Sequence, residues 1–245
     1  MRSFPSRPPF AVLAAALALV LLLGGVATPA VSVAAQDEPD PATLLRETSE
    51  LLANTQSLRF TLSVDGDSYI DDLGQMRLIK AEGALQRPGK VDVEFQIELF
   101  GAGNISIKAI TTDGQTYSTD LLTGKWGPAP AEFGYDPSLL FDLNGGLGPV
   151  ISKMTEVSVT GSETIDGRDC WTVEGTADQA SIDFISAGTM IGDAFHATLW
   201  IDKESGELRR IVLAEPTDNG KERPATWTMD LRDYNDPDID ITAPV

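Results

Sequence analysis

Val91-Asp92-Val93-Glu94-Phe95-Gln96-Ile97-Glu98-Leu99 decides the fold. Apolar and polar residues alternate along it without a slip, which is the pattern of a strand with one buried and one wet face. The same period of two recurs in Leu58, Phe60, Leu62 and Val64, separated by Arg59, Thr61 and Ser63 and followed by an Asp65-Gly66 turn. Ile105, Ile107 and Ala109 repeat it after a Gly101-Ala102-Gly103 turn. Further turn pairs stand at Pro88-Gly89, Asp113-Gly114, Thr123-Gly124, Asp166-Gly167, Ser205-Gly206 and Asn219-Gly220. Strands joined by such turns form hairpins, and the spacing predicts about ten of them in one antiparallel sheet. Strands apolar on one face only describe a sheet with one solvated side. A sheet that long must curl.

Upstream of this region the period changes. Asp40-Pro41 reads as an N-cap and first helical residue. Leu44, Leu45, Thr48, Leu51 and Leu52 then form one apolar stripe on a helix of about four turns. Downstream, two stretches interrupt the β pattern. Pro137 to Met154 holds Leu139, Leu140, Phe141, Leu147, Val150, Ile151 and Met154 around Asn144-Gly145-Gly146, and predicts two short apolar helices about a glycine hinge. Ala180 to Phe195 is a glycine-interrupted run with Ile182, Phe184, Ile185, Met190 and Ile191. Both are too apolar to be ordinary surface loops. One four-turn helix cannot cover the sheet's apolar face, so these stretches are expected to plug the curled sheet or line a cavity within it.

The N-terminus reads as an export signal. Arg2 and Arg7 precede an apolar run from Ala11 to Leu23, and small residues follow through Val33-Ala34-Ala35, the order of a secretory signal peptide. Residues 1–35 are the expected signal, with the cut after Ala35, residues 36–40 a linker, and 41–245 a single domain. An uncleaved anchor is the alternative. A spanning helix wants about 20 apolar residues, and Phe10 to Ala27 falls short with Gly24 and Gly25 inside it. The expected location is outside the cytoplasm, in the periplasm or cell wall or secreted, either free or held by an unremoved signal helix.

Removing Arg2 and Arg7 from 18 basic residues leaves 16 against 37 acidic ones, a net charge of −21. Such a balance repels phosphate backbones, so nucleic acid is excluded as a partner. A well-solvated acidic surface accounts for it. The only cysteine, Cys170, lies in an alternating segment far from the cut. It can form no internal disulfide and reads as a buried thiol.

The residues of most site chemistries are missing. The single histidine, His196, stands at the start of a strand with no nucleophile-elbow pattern nearby. One histidine and one cysteine cannot build a zinc site. Asp65, Asp67, Asp71 and Asp72, and again Asp236, Asp238 and Asp240, lack the spacing of a calcium loop and read as turn and surface acids. The Gly101-Ala102-Gly103 stretch leads into a strand rather than the helix a dinucleotide fingerprint requires. Gly124-Lys125-Trp126 is similar to the lipocalin G-x-W signature but lies mid-chain in a hairpin. No catalytic residue, metal or cofactor is expected, although an acid pair could hide among so many carboxylates.

The order of features carries a resemblance. A leading helix precedes Ser57-Leu58-Arg59-Phe60-Thr61-Leu62, then Thr112-Asp113-Gly114-Gln115-Thr116-Tyr117, Thr123-Gly124-Lys125-Trp126, Tyr135-Asp136-Pro137 and Asn144-Gly145-Gly146-Leu147. Asp166-Gly167, Ala197-Thr198-Leu199-Trp200-Ile201-Asp202, Gly206-Glu207-Leu208-Arg209-Arg210 and Asp238-Ile239-Asp240-Ile241-Thr242-Ala243-Pro244 follow. Across residues 41–244 this resembles the LppX/LprA/LprF/LprG-type lipoproteins of mycobacteria and related bacteria. The resemblance implies a LolA/LolB-like fold of the mainly β (α+β) class, a strongly curved antiparallel half-barrel with a few helices covering its concave face. It also implies that the space between sheet and helices holds acyl chains of a lipid or glycolipid in transit. Members of that kind carry a lipidated cysteine near the mature N-terminus, and Cys170 cannot serve as one.

A lipid-binding carrier is therefore the first expectation. Its lining candidates are Phe60, Leu62, Val93, Phe95, Ile97, Ile107, Leu139, Leu140, Val150, Met154, Phe184, Met190 and Phe195, each of which ordinary core packing would equally explain. Asn144-Gly145-Gly146 is the expected hinge of a moving lid. Acyl chains are the expected ligand, an envelope transporter or acceptor membrane a further partner, and the chain is expected to be a monomer. The competing readings are an envelope sensor or interaction module on the same fold, and an enzyme of unrecognised type.

Overall fold

The computed structural model describes residues 38–71, 73–100, 103–129 and 137–244. The signal segment and its cut lie outside these residues, as do Asp72, Gly101-Ala102 and Tyr135-Asp136. In chain order, α1 (Pro41–Asn54) leads into β1 (Ser57–Asp65), β2 (Met76–Gln86), β3 (Lys90–Leu99), β4 (Gly103–Thr112), β5 (Gln115–Thr119) and β6 (Trp126–Pro128). A 3-10 helix (Pro137–Phe141) and α2 (Leu147–Lys153) then precede β7 (Thr155–Ile165) and β8 (Arg168–Asp178). The chain closes with α3 (Gln179–Ser186), β9 (Ala194–Asp202), β10 (Leu208–Ala214) and β11 (Thr226–Arg232).

All eleven strands belong to one antiparallel sheet in the order β6-β5-β4-β3-β2-β1-β11-β10-β9-β8-β7. Two meanders, one running outward from β1 and one running inward to β11, meet where these two strands pair. The link from β6 to β7 therefore runs from one edge of the sheet to the other, and the 3-10 helix and α2 lie on that link. No described helix is long and apolar enough to cross a membrane.

The register lines up the inward positions. Ile107, Phe95, Ala81, Leu62, Met229, Ile211, Leu199, Val173 and Val159 are successive cross-strand partners from β4 to β7. All but Val159 are buried. The opposite face carries charge, as in the Arg210–Asp230 pair at 2.6 Å and the Arg232–Glu82 pair at 3.3 Å. Curvature closes the apolar face inward, giving the half-barrel that the sequence predicts. Gly83 holds a mid-strand position because a Cβ there would stand 2.1 Å from the Asp92 carbonyl oxygen.

The helix begins and ends as its sequence predicts. Asp40 accepts from the Thr43 amide at 2.9 Å, and the Thr55 hydroxyl donates to the Leu51 carbonyl. Leu45, Thr48 and Leu52 are buried, while Leu44 and Leu51 flank them half-buried. This face packs on α2, where Gly148 lets the Ser49 backbone approach closely. The Thr48 hydroxyl also donates to the Gly206 carbonyl, tying α1 to the β9–β10 turn.

Candidate functional site

Eleven of the thirteen lining candidates share one buried cluster. Phe60, Leu62, Val93, Phe95, Ile97, Ile107 and Phe195 come from β1, β3, β4 and β9, and Leu140, Val150, Met154 and Met190 from the segments laid over them. The other two lie apart. Leu139 is half-buried, and Phe184 is 38 % exposed with its ring against Gly145. The cluster also contains Leu147 and Ile185 from the two apolar stretches, and Ile211, Leu213, Trp227 and Met229, which the sequence did not single out. Those on β10 and β11 show the same period of two, so the signal for them was present.

The interior is packed. Between sheet and cover lies a cavity of about 10 Å³, walled by Leu62, Ile211, Leu213, Trp227 and Met229 below and Leu140, Leu147 and Ile185 above. That is room for about one water. Leu140 and Leu147 also wall an outer groove of about 220 Å³ with Leu52, Phe141 and Gly148, so these two side chains stand between the cavity and solvent. A second groove of about 370 Å³ follows the β2–β3 turn past Arg87, Lys90, Phe141 and Asp142. There the Arg87 guanidinium stacks over the Phe141 ring at 4.5 Å and donates to the Thr55 carbonyl at 2.9 Å. Burial lowers its pKa, opposed by the nearby Asp142 carboxylate.

Two segments cover the sheet, and they are attached differently. Residues 139–153, here termed the connector, make hydrogen bonds that stay within the segment or its immediate end. Asp142 accepts from the Asn144 and Gly145 amides, at 2.7 Å and 2.9 Å. The Gly146 amide donates to the Asp142 carbonyl, that of Val150 to the Gly146 carbonyl, and that of Met154 to the Ile151 carbonyl. Among the described residues none of its hydrogen bonds reaches the sheet, which it meets through side-chain packing. Its adjacent glycines, Gly145 and Gly146, are set by contact and not by a left-handed backbone. A Cβ on Gly145 would stand 2.6 Å from the Phe184 ring, and one on Gly146 would stand 2.6 Å from the Asp142 carbonyl oxygen.

The second segment, α3 and the turn after it, is fastened by polar groups. Asp178 caps α3 by accepting from the Ser181 amide and hydroxyl, each at 2.9 Å. These bonds, the amide's first, hold its carboxyl below the ordinary 3.8. Beyond the helix, the buried Glu215 accepts from the Ile191 amide at 2.8 Å, the Ala225 amide at 2.7 Å and the Asn219 side chain at 2.7 Å. Lys221 pairs with Glu215 at 2.5 Å and donates to the Asp67 and Thr189 carbonyls. This clip joins the α3–β9 turn to the loops at one end of the sheet. The sequence shows it only as a polar loop around Asn219-Gly220.

The remaining candidates for chemistry lie apart from the buried cluster. His196 is exposed on β9 beside the Thr198 hydroxyl. Cys170 is buried on β8, where burial and then the Asp202 carboxylate push its thiol up, opposite to what a reactive thiolate needs. Asp71 accepts from the Leu73, Gln75 and Met76 amides, Asp65 pairs with Arg223, and Asp236 accepts from the Asp238 amide. Among the described residues no three groups of metal-binding type converge.

Comparison with known proteins gives a consistent result. Lipoprotein LprA of Mycobacterium tuberculosis is 28% identical over 242 residues, covering 91% of this chain and 94% of its own. The lipoarabinomannan carrier protein LprG of Mycolicibacterium hassiacum is also 28% identical over 242 residues, covering 96% and 97%. The crystal structure of LprF from Mycobacterium bovis superposes with a TM-score of 0.66 at 20% identity, covering 84% of this chain and 99% of that one. The M. tuberculosis lipoprotein LppX superposes with a TM-score of 0.58 at 16% identity, covering 82% and 98%. These two share the fold. The model of the LppX_LprAFG lipoprotein family matches residues 40–241, and the chain belongs to that family.

Proposed function

We propose that this chain is an exported carrier that takes acyl chains of a lipid or glycolipid between its curved sheet and the connector. The observation that carries the reading is the connector itself, an apolar cover over the sheet's apolar face with no hydrogen bond to the strands among the described residues. Lifting such a cover breaks no hydrogen bond to the strands among the described residues, only the Arg87–Phe141 stack at the β2–β3 turn and apolar packing, which an acyl chain can replace with packing of the same kind. Each buried methylene contributes about 0.8 kcal/mol, so eight of them give roughly 6 kcal/mol before the costs of binding. The name of the LprG relative supports the ligand class.

Because the interior is packed, loading displaces Leu140 and Leu147 and opens the α1–α2 groove to the cavity. The chain then lies along Phe60, Leu62, Phe95 and Ile107, with Val93, Ile97, Val150, Met154, Met190 and Phe195 forming the surrounding wall. Leu139 and Phe184 lie at the margin. The protein works as a monomer in the envelope outside the cytoplasm and does no chemistry on its ligand. It delivers to an envelope transporter or an acceptor membrane. With the single cysteine buried in β8, it is either free after the cut at Ala35 or held by the unremoved signal helix. The packed interior also favours a second reading, a sensing or interaction module on the same fold.

Native mass spectrometry of the purified protein, beside an organic extract, tests the proposal. Co-purifying lipid that disappears in a folded Leu140→Asp variant is the expected result. A ligand-free protein that also ignores fluorescent fatty acids contradicts it and leaves the module. N-terminal sequencing of the exported form separates a free protein starting at Gln36 from an anchored one retaining Met1 or Arg2.

A further inference from the structure

Trp227 is an anomaly in the wall just described. It occupies an inward position of β11 between Val64 of β1 and Leu213 of β10. Its neighbours on that face, Met229 and Leu231, carry no hydrogen-bond donor in their side chains. A buried indole N–H ordinarily finds an acceptor, and even the part-exposed Trp200 N–H finds one in the Glu163 carboxylate at 2.8 Å. The Trp227 N–H is buried and meets no acceptor among the described residues. The indole borders the cavity of about 10 Å³, whose other walls are aliphatic side chains and a methionine.

The chemistry of that cavity selects what can satisfy the donor. A water needs two to four polar partners, and this wall supplies one. A carboxylate would bring an unpaired charge into an apolar site, at heavy cost, and no cationic side chain lines the cavity. A hydroxyl or an amide would satisfy the indole but bring a donor of its own, for which the wall has no good acceptor. An ester carbonyl accepts without donating and arrives already joined to hydrocarbon. Small numbers of placed polar groups in apolar pockets commonly fix ligand orientation in this way.

We infer that Trp227 is a specificity-determining residue whose indole N–H donates to an ester carbonyl of the bound lipid, so that the interior selects esterified acyl chains over alkyl chains lacking the carbonyl. This rests on the carrier reading and deepens it. It also places the ester end of the chain, and not its methyl terminus, beneath Leu140 and Leu147.

The test equilibrates the protein with equimolar dipalmitoylphosphatidylcholine and its di-O-hexadecyl ether analogue and reads the bound ratio by native mass spectrometry. The unaltered protein is expected to favour the ester by roughly five- to tenfold, the range a net hydrogen bond confers. Trp227→Phe, which keeps an aromatic ring and removes the donor, is expected to bring the ratio to about one while total loading persists. Equal loading of the two lipids by the unaltered protein overturns the inference while leaving the carrier intact, and so does an ester preference that survives in Trp227→Phe. Failure to load either lipid overturns both. A measurement independent of the variant is the infrared band of a ¹³C-carbonyl-labelled ester lipid bound to the unaltered protein. A shift to lower wavenumber than in dry hydrocarbon is expected, and an unshifted band contradicts the inference.

Discussion

The two segments that interrupt the β pattern both end as helix laid over the same apolar face, yet one is bolted and the other is not. The turn after α3 is fixed by the buried Glu215–Lys221 pair and by the amides and carbonyls around it. The connector, from Leu139 through α2, turns its hydrogen bonds on itself among the described residues. A segment whose polar groups bond outward is part of the wall, because moving it strands buried donors and acceptors. A segment that satisfies its own polar groups can move as a unit and lose only packing. The difference assigns the roles of wall and cover without reference to any ligand.

Unbolting the first segment should have the largest effect. Glu215→Ala leaves Lys221 buried without its carboxylate and removes the acceptor of two amides, at a cost of about 3–5 kcal/mol. Denaturant unfolding measures it, and a loss under about 1 kcal/mol would reduce the clip to decoration. Gly146→Ala comes next, because its methyl meets backbone atoms that cannot step aside. A destabilisation of about 1–3 kcal/mol is expected. Urea unfolding should detect it, with hydrogen exchange placing the loosening in the connector.

Asp178→Ala removes the α3 cap and should cost about 1 kcal/mol at neutral pH. The folded-state pKa of Asp178 is depressed, so its contribution is complete above the unfolded value of 3.8 and is lost as pH falls through the lower folded value. The difference in stability between the variant and the unaltered protein should therefore shrink on acidification below that point. Gly145→Ala should be the mildest of the four. Its methyl meets the Phe184 ring, which is part-exposed and free to swing outward. A loss of under about 1 kcal/mol is expected, visible as a higher exposure of Phe184 to surface labelling.

The sheet was legible because alternation and turn pairs are local signals, and Val91 to Leu99 states its register residue by residue. The helix α1 was legible for the same reason, from Asp40-Pro41 through Leu52. Pairing of β1 with β11 was not, since it joins residues more than 160 positions apart and follows from the closure of the whole sheet. Nor was the clip. Glu215 and Lys221 stand in a stretch rich in turn residues, and only the fold buries them. Asn144-Gly145-Gly146 reads as a hinge from sequence, where glycine signifies freedom. In the structure Gly145 and Gly146 sit in tight contacts, where a Cβ on either would stand 2.6 Å from a neighbouring atom. Phe184 shows the limit of composition. Its apolar character suggested lining, and α3 directs it to the rim against Gly145.

Native-state hydrogen exchange tests the central claim that the connector opens apart from the sheet. The amides of Val150 and Ile151 in α2 should exchange through a local opening at least about 100-fold faster than those of Leu62 and Met229 in the central strands. The amide of Ile191, held by Glu215, should follow the strands. If Val150 and Ile151 exchange only with the strands, in one global unfolding, the connector is wall and the account fails.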